Sequence, residues 1–288
     1  MSVHFDALES RPPDIREAEL FARLPAFLAR AVEAAPALRT RFAGVDLETV
    51  NSRAALATLP VLRKSELMQM QRENPPFGGF CDPSALSGRR VFQSPGPIWE
   101  PEGDDAQVQE AARAFFAAGI RSGDVVHNSF SYHMTPAGLM LDRGARALGC
   151  SVFPAGIGNT DAQVDAVATL RPTGWCGTPD FLRTMLDRAA ETGRDLSSIR
   201  HALVSGGALF PSLRAEYATR GVAVYQAYAT AELGIIAYES ADSDGTPLPG
   251  MVVAENLILE IVRPGTNDPV PDGEVGEGVV TRFDPLYP

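Results

Sequence analysis

The 288 residues are 45% hydrophobic and 21% charged, the balance of a globular chain long enough to bury a core in one large α/β domain or two smaller ones. A net charge of −11 leaves no basic stripe to neutralise phosphates, which argues against nucleic acid as a bulk partner and against a membrane surface. Three widely spaced cysteines (Cys81, Cys150, Cys176) and four histidines (His4, His127, His133, His201) without a pair at ligand spacing predict neither a disulfide framework nor a structural zinc.

The opening MSVHFDALESRPPD has no apolar segment of the kind a signal peptide needs, and no run of about 18 apolar residues occurs, so a cytoplasmic location is expected. After the Pro12-Pro13 breaker, Ile15, Leu20, Leu24, Phe27, Leu28 and Val32 recur at three and four, which predicts an amphipathic helix over 14–35. A second helical piece is expected over 52–58, and an extended entry at 59–64 leads to a helix capped at Ser65 and running to about Gln71. NPPFGG, 74–79, is a loop. Arg89–Gln93 reads as a strand that enters the turn SPGPIWEPEG, 94–103.

From there the chain alternates. A helix over 104–118 stops at Gly119, a strand covers 124–130, and SYHMTPAG leads into a helix reaching Leu148. The strand CSVFPAG, the capped helix of GNTDAQVDAVATL, the strand and turn GWCGTP and a helix over 179–191 follow. Units of about 25 to 30 residues repeated in this way predict a mostly parallel sheet covered by helices on both faces. Beyond Ser240, ENLILEIV (255–262) and 278–283 read as strands joined by a hairpin-like connection.

The stretch from His201 to Ser240 is the most informative. The apolar run HALVS, the turn Gly206-Gly207, a helix opened by Pro211 and the apolar run 222–226 predict two adjacent parallel strands with a crossover helix. The turn and the polar bend Tyr228–Glu232 would then leave the carboxyl ends of their strands, the edge where open α/β sheets bind ligands. The bend supplies a ring, a hydroxyl and a carboxylate within five residues, the groups that can stack on a base, meet phosphate and hold a Mg²⁺ that keeps most of its waters. A plainer reading has Tyr228 in the core, Thr230 as a helix cap and Glu232 in that helix's first turn.

SGGALF followed by AYATAELG resembles the adenylate-forming superfamily, in particular its phenylacetate-CoA ligase-like branch. The resemblance implies the large N-terminal domain of such an enzyme, an α/β fold with a mostly parallel sheet and a smaller β portion near the C-terminus. It implies a helical lead-in over 1–80, a nucleotide- and acyl-binding core over 81–240 and the start of a smaller β subdomain over 241–288. Ser205, Gly206, Gly207 and Ala208 would line adenosine, Tyr228 and Ala229 would pack on the base, Thr230 would meet phosphate and Glu232 would bind Mg²⁺. Tyr132-His133 resembles the family's aromatic-His element, which implies that His133 approaches the reacting carboxylate while Phe130, Tyr132 and Met134 shape the acyl pocket. Without the resemblance, a lone His at a strand end is an ordinary hydrogen-bonded residue.

Ser94 and Gly96 stand where the family has a Ser/Thr/Gly-rich phosphate loop ending in Pro-Lys. Here Pro95 and Pro97 lack an N–H to donate, no lysine follows, and Glu100 and Glu102 bring negative charge unless they turn away. A proline-stiffened turn without a phosphate role fits the same residues. Ala231 replaces the threonine usual in the family's bend. The family's Thr-Gly-Asp element and lysine-bearing C-terminal domain would follow Pro288, so the resemblance implies the N-terminal part of a longer ligase, inactive by itself in the complete reaction.

The implied activity is ATP-dependent activation of an aryl or arylacetic acid through an acyl-adenylate, then transfer to CoA, with ATP, Mg²⁺, CoA and a small aromatic carboxylic acid as ligands. A homodimer is compatible with it. A second expectation, from the altered phosphate loop, is a ligase-fold protein that binds an acyl or nucleotide ligand without activating it. A third is a relative that adenylates a cofactor.

Overall fold

The computed structural model describes residues 4–81 and 86–288. Residues 1–3, the start of the stretch read for a leader, and 82–85, just inside the expected boundary after residue 80, lie outside the described residues. The chain forms two compact units, each assembled from separate stretches: 1–9 with 105–254, and 10–104 with 255–288.

The first unit is the α/β layer structure. Its elements in order are α5 (Asp105–Ala117), β3 (Val125–Asn128), α6 (Ala137–Ala147), β4 (Ser151–Pro154), α7 (Thr160–Leu170), β5 (Gly174–Gly177), α8 (Pro179–Thr192), β6 (His201–Val204), α9 (Pro211–Thr219), β7 (Ala223–Thr230), β8 (Gly234–Tyr238) and β9 (Val252–Val253). The second unit holds α1 (Pro13–Ala34), α2 (Pro36–Arg41), α3 (Arg53–Leu56), α4 (Lys64–Glu73), β1 (Val91–Ser94), β2 (Ile98–Pro101), β10 (Leu257–Val262) and β11 (Glu277–Arg282).

A seven-stranded sheet of order β4-β3-β5-β6-β7-β8-β9 runs through the first unit. The pairs from β4 through β7 are parallel, and β8 and β9 add an antiparallel edge. Strand alternation splits the core in two. Val126, Cys176, Leu203, Tyr225 and Ala227 pack with Ala111 and Phe115 of α5 and Leu141 and Ala145 of α6. Trp175, Ala202, Val204 and Val224 face Val164 and Val167 of α7, Leu182 and Met185 of α8 and Tyr217 of α9. Short, fully buried strands of this kind need helices on both faces, as the repeating pattern predicts.

In the second unit, Pro13 opens α1 and Asp14 sits in its first turn, both favourable where N–H groups lack partners. The buried stripe Leu20, Leu24, Phe27 and Leu28 packs with Ile258 of β10 and Phe283 beyond β11, so the small hairpin β10-β11 shares a core with the helical lead-in. Residues 36–41 add a short helix, α2, which Pro36 opens. Two local expectations are corrected. Residues 98–101, expected in a loop, pair with β1 as β2 in a tight hairpin. The helix expected from a Ser65 cap starts at Lys64 with no side-chain cap.

Candidate active site

β6 ends at Val204, level with Gln226 of β7, so the turn after β6 and the far end of β7 leave the same edge of the sheet. Ser205 is buried and its N–H donates to the Gly177 carbonyl (3.2 Å), which extends the β5–β6 pairing by one residue. Gly206 then adopts φ +72°, a conformation that side chains with a Cβ enter at a cost of about 1–2 kcal/mol. A Cβ at Gly206 would come within 4.0 Å of Thr178 and Phe130, so the turn lies over those two side chains. Gly207 and Ala208 are exposed, and the Leu209 N–H donates to Gln226 Oε1 (2.9 Å).

That last bond ties the two loops together. Gln226 is held in turn by Glu239, whose Oε2 accepts the Gln226 N–H (2.7 Å) and whose Oε1 accepts from Arg214 Nη2 of α9 (2.6 Å). β7 runs four residues past Gln226, about 13 Å at the usual rise. Tyr228 is 52% exposed, on the overhanging part of the strand, while Ala229 packs toward the core. At Ala231–Leu233 the chain reverses into β8, with the Leu233 N–H donating to Thr230 Oγ1 (3.2 Å). The bend is therefore a β-hairpin turn, and the plainer reading of Thr230 as a helix cap with Glu232 in a helix's first turn is overturned. Ala231 and Glu232 are half-buried in that turn.

Two strands along the same edge, about 10 Å from β6 at the usual interstrand spacing, the loop after β3 carries His133. Ser131 Oγ donates to the His133 carbonyl (2.9 Å) and accepts the His133 N–H (3.1 Å), and the next residue, Met134, has φ +59°. His133 and Met134 are exposed. In β3, buried His127 donates from Nε2 to Gln163 Oε1 (2.9 Å), because the Gln163 amide nitrogen is committed to the carbonyls of Gly156 and Gly158. Burial lowers the His127 pKa and so favours the neutral imidazole.

Ser94 and Gly96 belong to the second unit. Ser94 is buried and its hydroxyl donates to the Ile98 carbonyl (3.4 Å), closing the β1-β2 hairpin. Glu100 is 1% exposed, and Glu102 pairs with Arg90 (2.7 Å), so both acids are turned to protein partners. The edge of the first unit thus unites Ser205–Ala208, Tyr228–Glu232 and His133, and the Ser94 turn is built on another scaffold. Gln226, Glu239 and Arg214 were not expected. Their signal in the sequence is only a glutamine in an otherwise apolar strand.

A polar cleft of about 570 Å³ between α7 and α8 offers a different kind of surface. Its Arg188 and Asp161 neutralise each other, and it presents no flat ring or apolar wall. Among the described residues, no three metal-ligating side chains cluster. No helix among them is long and apolar enough to cross a membrane.

The family model described as AMP-binding enzyme matches residues 132–282. The phenylacetate-coenzyme A ligases of Aromatoleum evansii and Pseudomonas putida are each 29% identical to the chain over 292 residues, covering 96% of it. The chain spans 64% and 65% of their lengths, just under two thirds. The solved 2-hydroxyisobutyryl-CoA ligase, in an open conformation with 2-HIB-AMP and CoA, superposes with a TM-score of 0.88 at 24% identity, over 98% of this chain and 69% of that one.

Proposed function

We propose, from the premise that the chain belongs to the AMP-binding enzyme family, that it supplies the nucleotide- and acid-binding part of an ATP-dependent acyl-CoA ligase. The observation that carries this reading is the tie between Leu209 and Gln226, which sets the Ser205–Ala208 turn beside the Tyr228–Glu232 corner on one edge of a parallel sheet. A base stacked on exposed Tyr228 would have its ribose and phosphates directed along that edge, where Thr230 can donate to a phosphate oxygen. His133, farther along the edge, would meet the acid's carboxylate.

Magnesium would arrive with the nucleotide. A half-buried carboxylate suits a Mg²⁺ that takes one or two protein oxygens and fills its other positions with phosphate and water, and Glu232 is such a group. In the reaction, a carboxylate oxygen of the acid attacks the α-phosphorus of ATP and pyrophosphate leaves. The thiol of CoA then attacks the acyl carbon and AMP leaves. The chain's contribution is positioning and neutralisation of charge, which can supply most of the acceleration in such transfers. The acid we assign is an aryl or arylacetic acid, on the strength of the two phenylacetate ligases.

A second reading, ligand binding without activation, draws on the Ser94 turn. Pro95 and Pro97 lack amide protons, which leaves Gly96 as the one N–H donor within the turn itself. Pyrophosphate exchange by the complete gene product with a panel of aryl acids tests activation, and robust acid-dependent exchange eliminates the second reading. Calorimetry with Mg-ATP on wild type and Glu232→Gln tests the metal role: an affinity loss of about tenfold is expected, and equal affinities remove Glu232 from the site.

A further inference from the structure

The loop that carries His133 is tied by side-chain hydrogen bonds to the end of β3 and to α6. Asn128, the last residue of β3, is fully buried. Its Nδ2 donates to the Tyr132 hydroxyl (2.8 Å) and to the Gly138 carbonyl (2.9 Å), while its Oδ1 accepts the Phe130 N–H (3.0 Å). The Tyr132 hydroxyl donates onward to Asp142 Oδ2 on α6 (3.1 Å), and Arg146, one helical turn later, pairs with the other oxygen of Asp142 (3.6 Å). Gly138 closes the loop by donating its N–H to the Ser131 carbonyl (2.9 Å). A Cβ there would sit 2.4 Å from that carbonyl oxygen and 2.9 Å from the Tyr132 ring, so only glycine lets α6 begin this close to the loop.

We propose that Tyr132 is a positioning residue: its hydroxyl, clamped between Asn128 and Asp142, fixes the turn from Ser131 to Thr135 and thereby sets where His133 and Met134 stand on the sheet edge. The inference rests on the reading of this edge as the acid-binding part of a ligase, and it gives Tyr132 a role that its ring alone could not fill. A ring that merely lined a pocket would be replaced by phenylalanine without consequence. A clamped hydroxyl is different, because the turn above it contains a left-handed methionine that neighbouring bonds must hold in place. Burial first, and then the charge of Asp142, raise the Tyr132 pKa, so the hydroxyl remains a donor over the working range of pH.

The test compares Tyr132→Phe, Asp142→Leu and the double variant with wild type, and uses Asp142→Asn as the conservative control that retains an acceptor for the hydroxyl. Acid-dependent pyrophosphate exchange is measured on the complete gene product, alongside hydrogen exchange of the peptide covering 129–138. Tyr132→Phe is expected to lower the maximal exchange rate about tenfold with the KM for ATP unchanged, and to speed hydrogen exchange in 129–138 while 205–210 keeps its wild-type rate. Asp142→Leu, which breaks one of the hydroxyl's two bonds, should shift both readouts in the same direction, the double variant should be no worse than Tyr132→Phe because that variant has already lost the bond to Asp142, and Asp142→Asn should stay near wild type. Wild-type turnover and loop protection in Tyr132→Phe would overturn the inference, as would additive effects in the double variant. If wild type itself gives no acid-dependent exchange, the ligase reading fails, and the hydrogen-exchange arm still decides whether the hydroxyl holds the loop.

Discussion

Met134 allows the strain at the site to be measured. Its φ of +59° costs a residue with a Cβ about 1–2 kcal/mol, while its side chain is 66% exposed and so buries only about a third of its surface. Complete burial of a methionine is worth about 1.5–3 kcal/mol, which makes the covered third worth about 0.5–1 kcal/mol. Met134→Ala keeps the strain and loses that burial, so it should destabilise by about 0.5–1 kcal/mol. Met134→Gly loses the same burial and pays glycine's extra chain entropy of about 0.5–1 kcal/mol, but it sheds the strain. Glycine should therefore be the more stable of the two by about 0.5–1 kcal/mol. With about 2–4 °C per kcal/mol for domains of this size, thermal unfolding should place Met134→Gly about 1–4 °C above Met134→Ala and close to wild type. On the proposed function, both variants should bind the acid more weakly, since each removes a side chain offered at the edge. An alanine variant at least as stable as the glycine variant would refute the strain argument.

Other outcomes follow from the same geometry. Gln226→Leu removes the acceptor for the Leu209 N–H and should cost about 1 kcal/mol, a fall of about 2–4 °C in Tm, with AMP affinity weakened several-fold; an unchanged AMP titration would detach the two loops from each other functionally. Buried Asp284 accepts the Leu286 N–H (2.9 Å), yet burial raises its pKa above the usual 3.8. Its folded pKa therefore lies above its unfolded one, so the stability it contributes is present below the unfolded pKa and declines as pH rises through the folded pKa. Asp284→Asn retains an acceptor oxygen, so it should equal or exceed wild type in Tm at pH 7 and lose that advantage in acid, as a series of unfolding curves between pH 3 and 7 would record.

Much of the first unit was legible in the sequence because helix and strand periods are local properties. Apolar runs such as HALV and GWCG, spaced by ten-residue amphipathic segments, announce buried parallel strands with crossover helices, and parallel neighbours must send their following loops out along one edge. That logic reached the Ser205 turn and the Tyr228 corner together. It left the form of the corner open. A hydroxyl followed by a carboxylate can open a helix or turn a hairpin, and the choice went to the hairpin because Gly234–Tyr238 pairs back along β7. The Ser94 turn shows the same limit, since IWEP carries no strand signal until β1 lies beside it.

The amino-acid sequence by itself determined the layered α/β architecture, the edge on which the chemistry would be sought and the family resemblance of the two loops, all of which depend on residues within a few positions of one another. Tertiary structure alone decided that β10 and β11 share a core with α1, that Gln226 binds the turn after β6, and that Tyr132 is fastened to Asp142. These ties join groups across packed elements, and a hydrogen bond from a loop to a strand or a helix leaves no periodic trace in the chain that makes it.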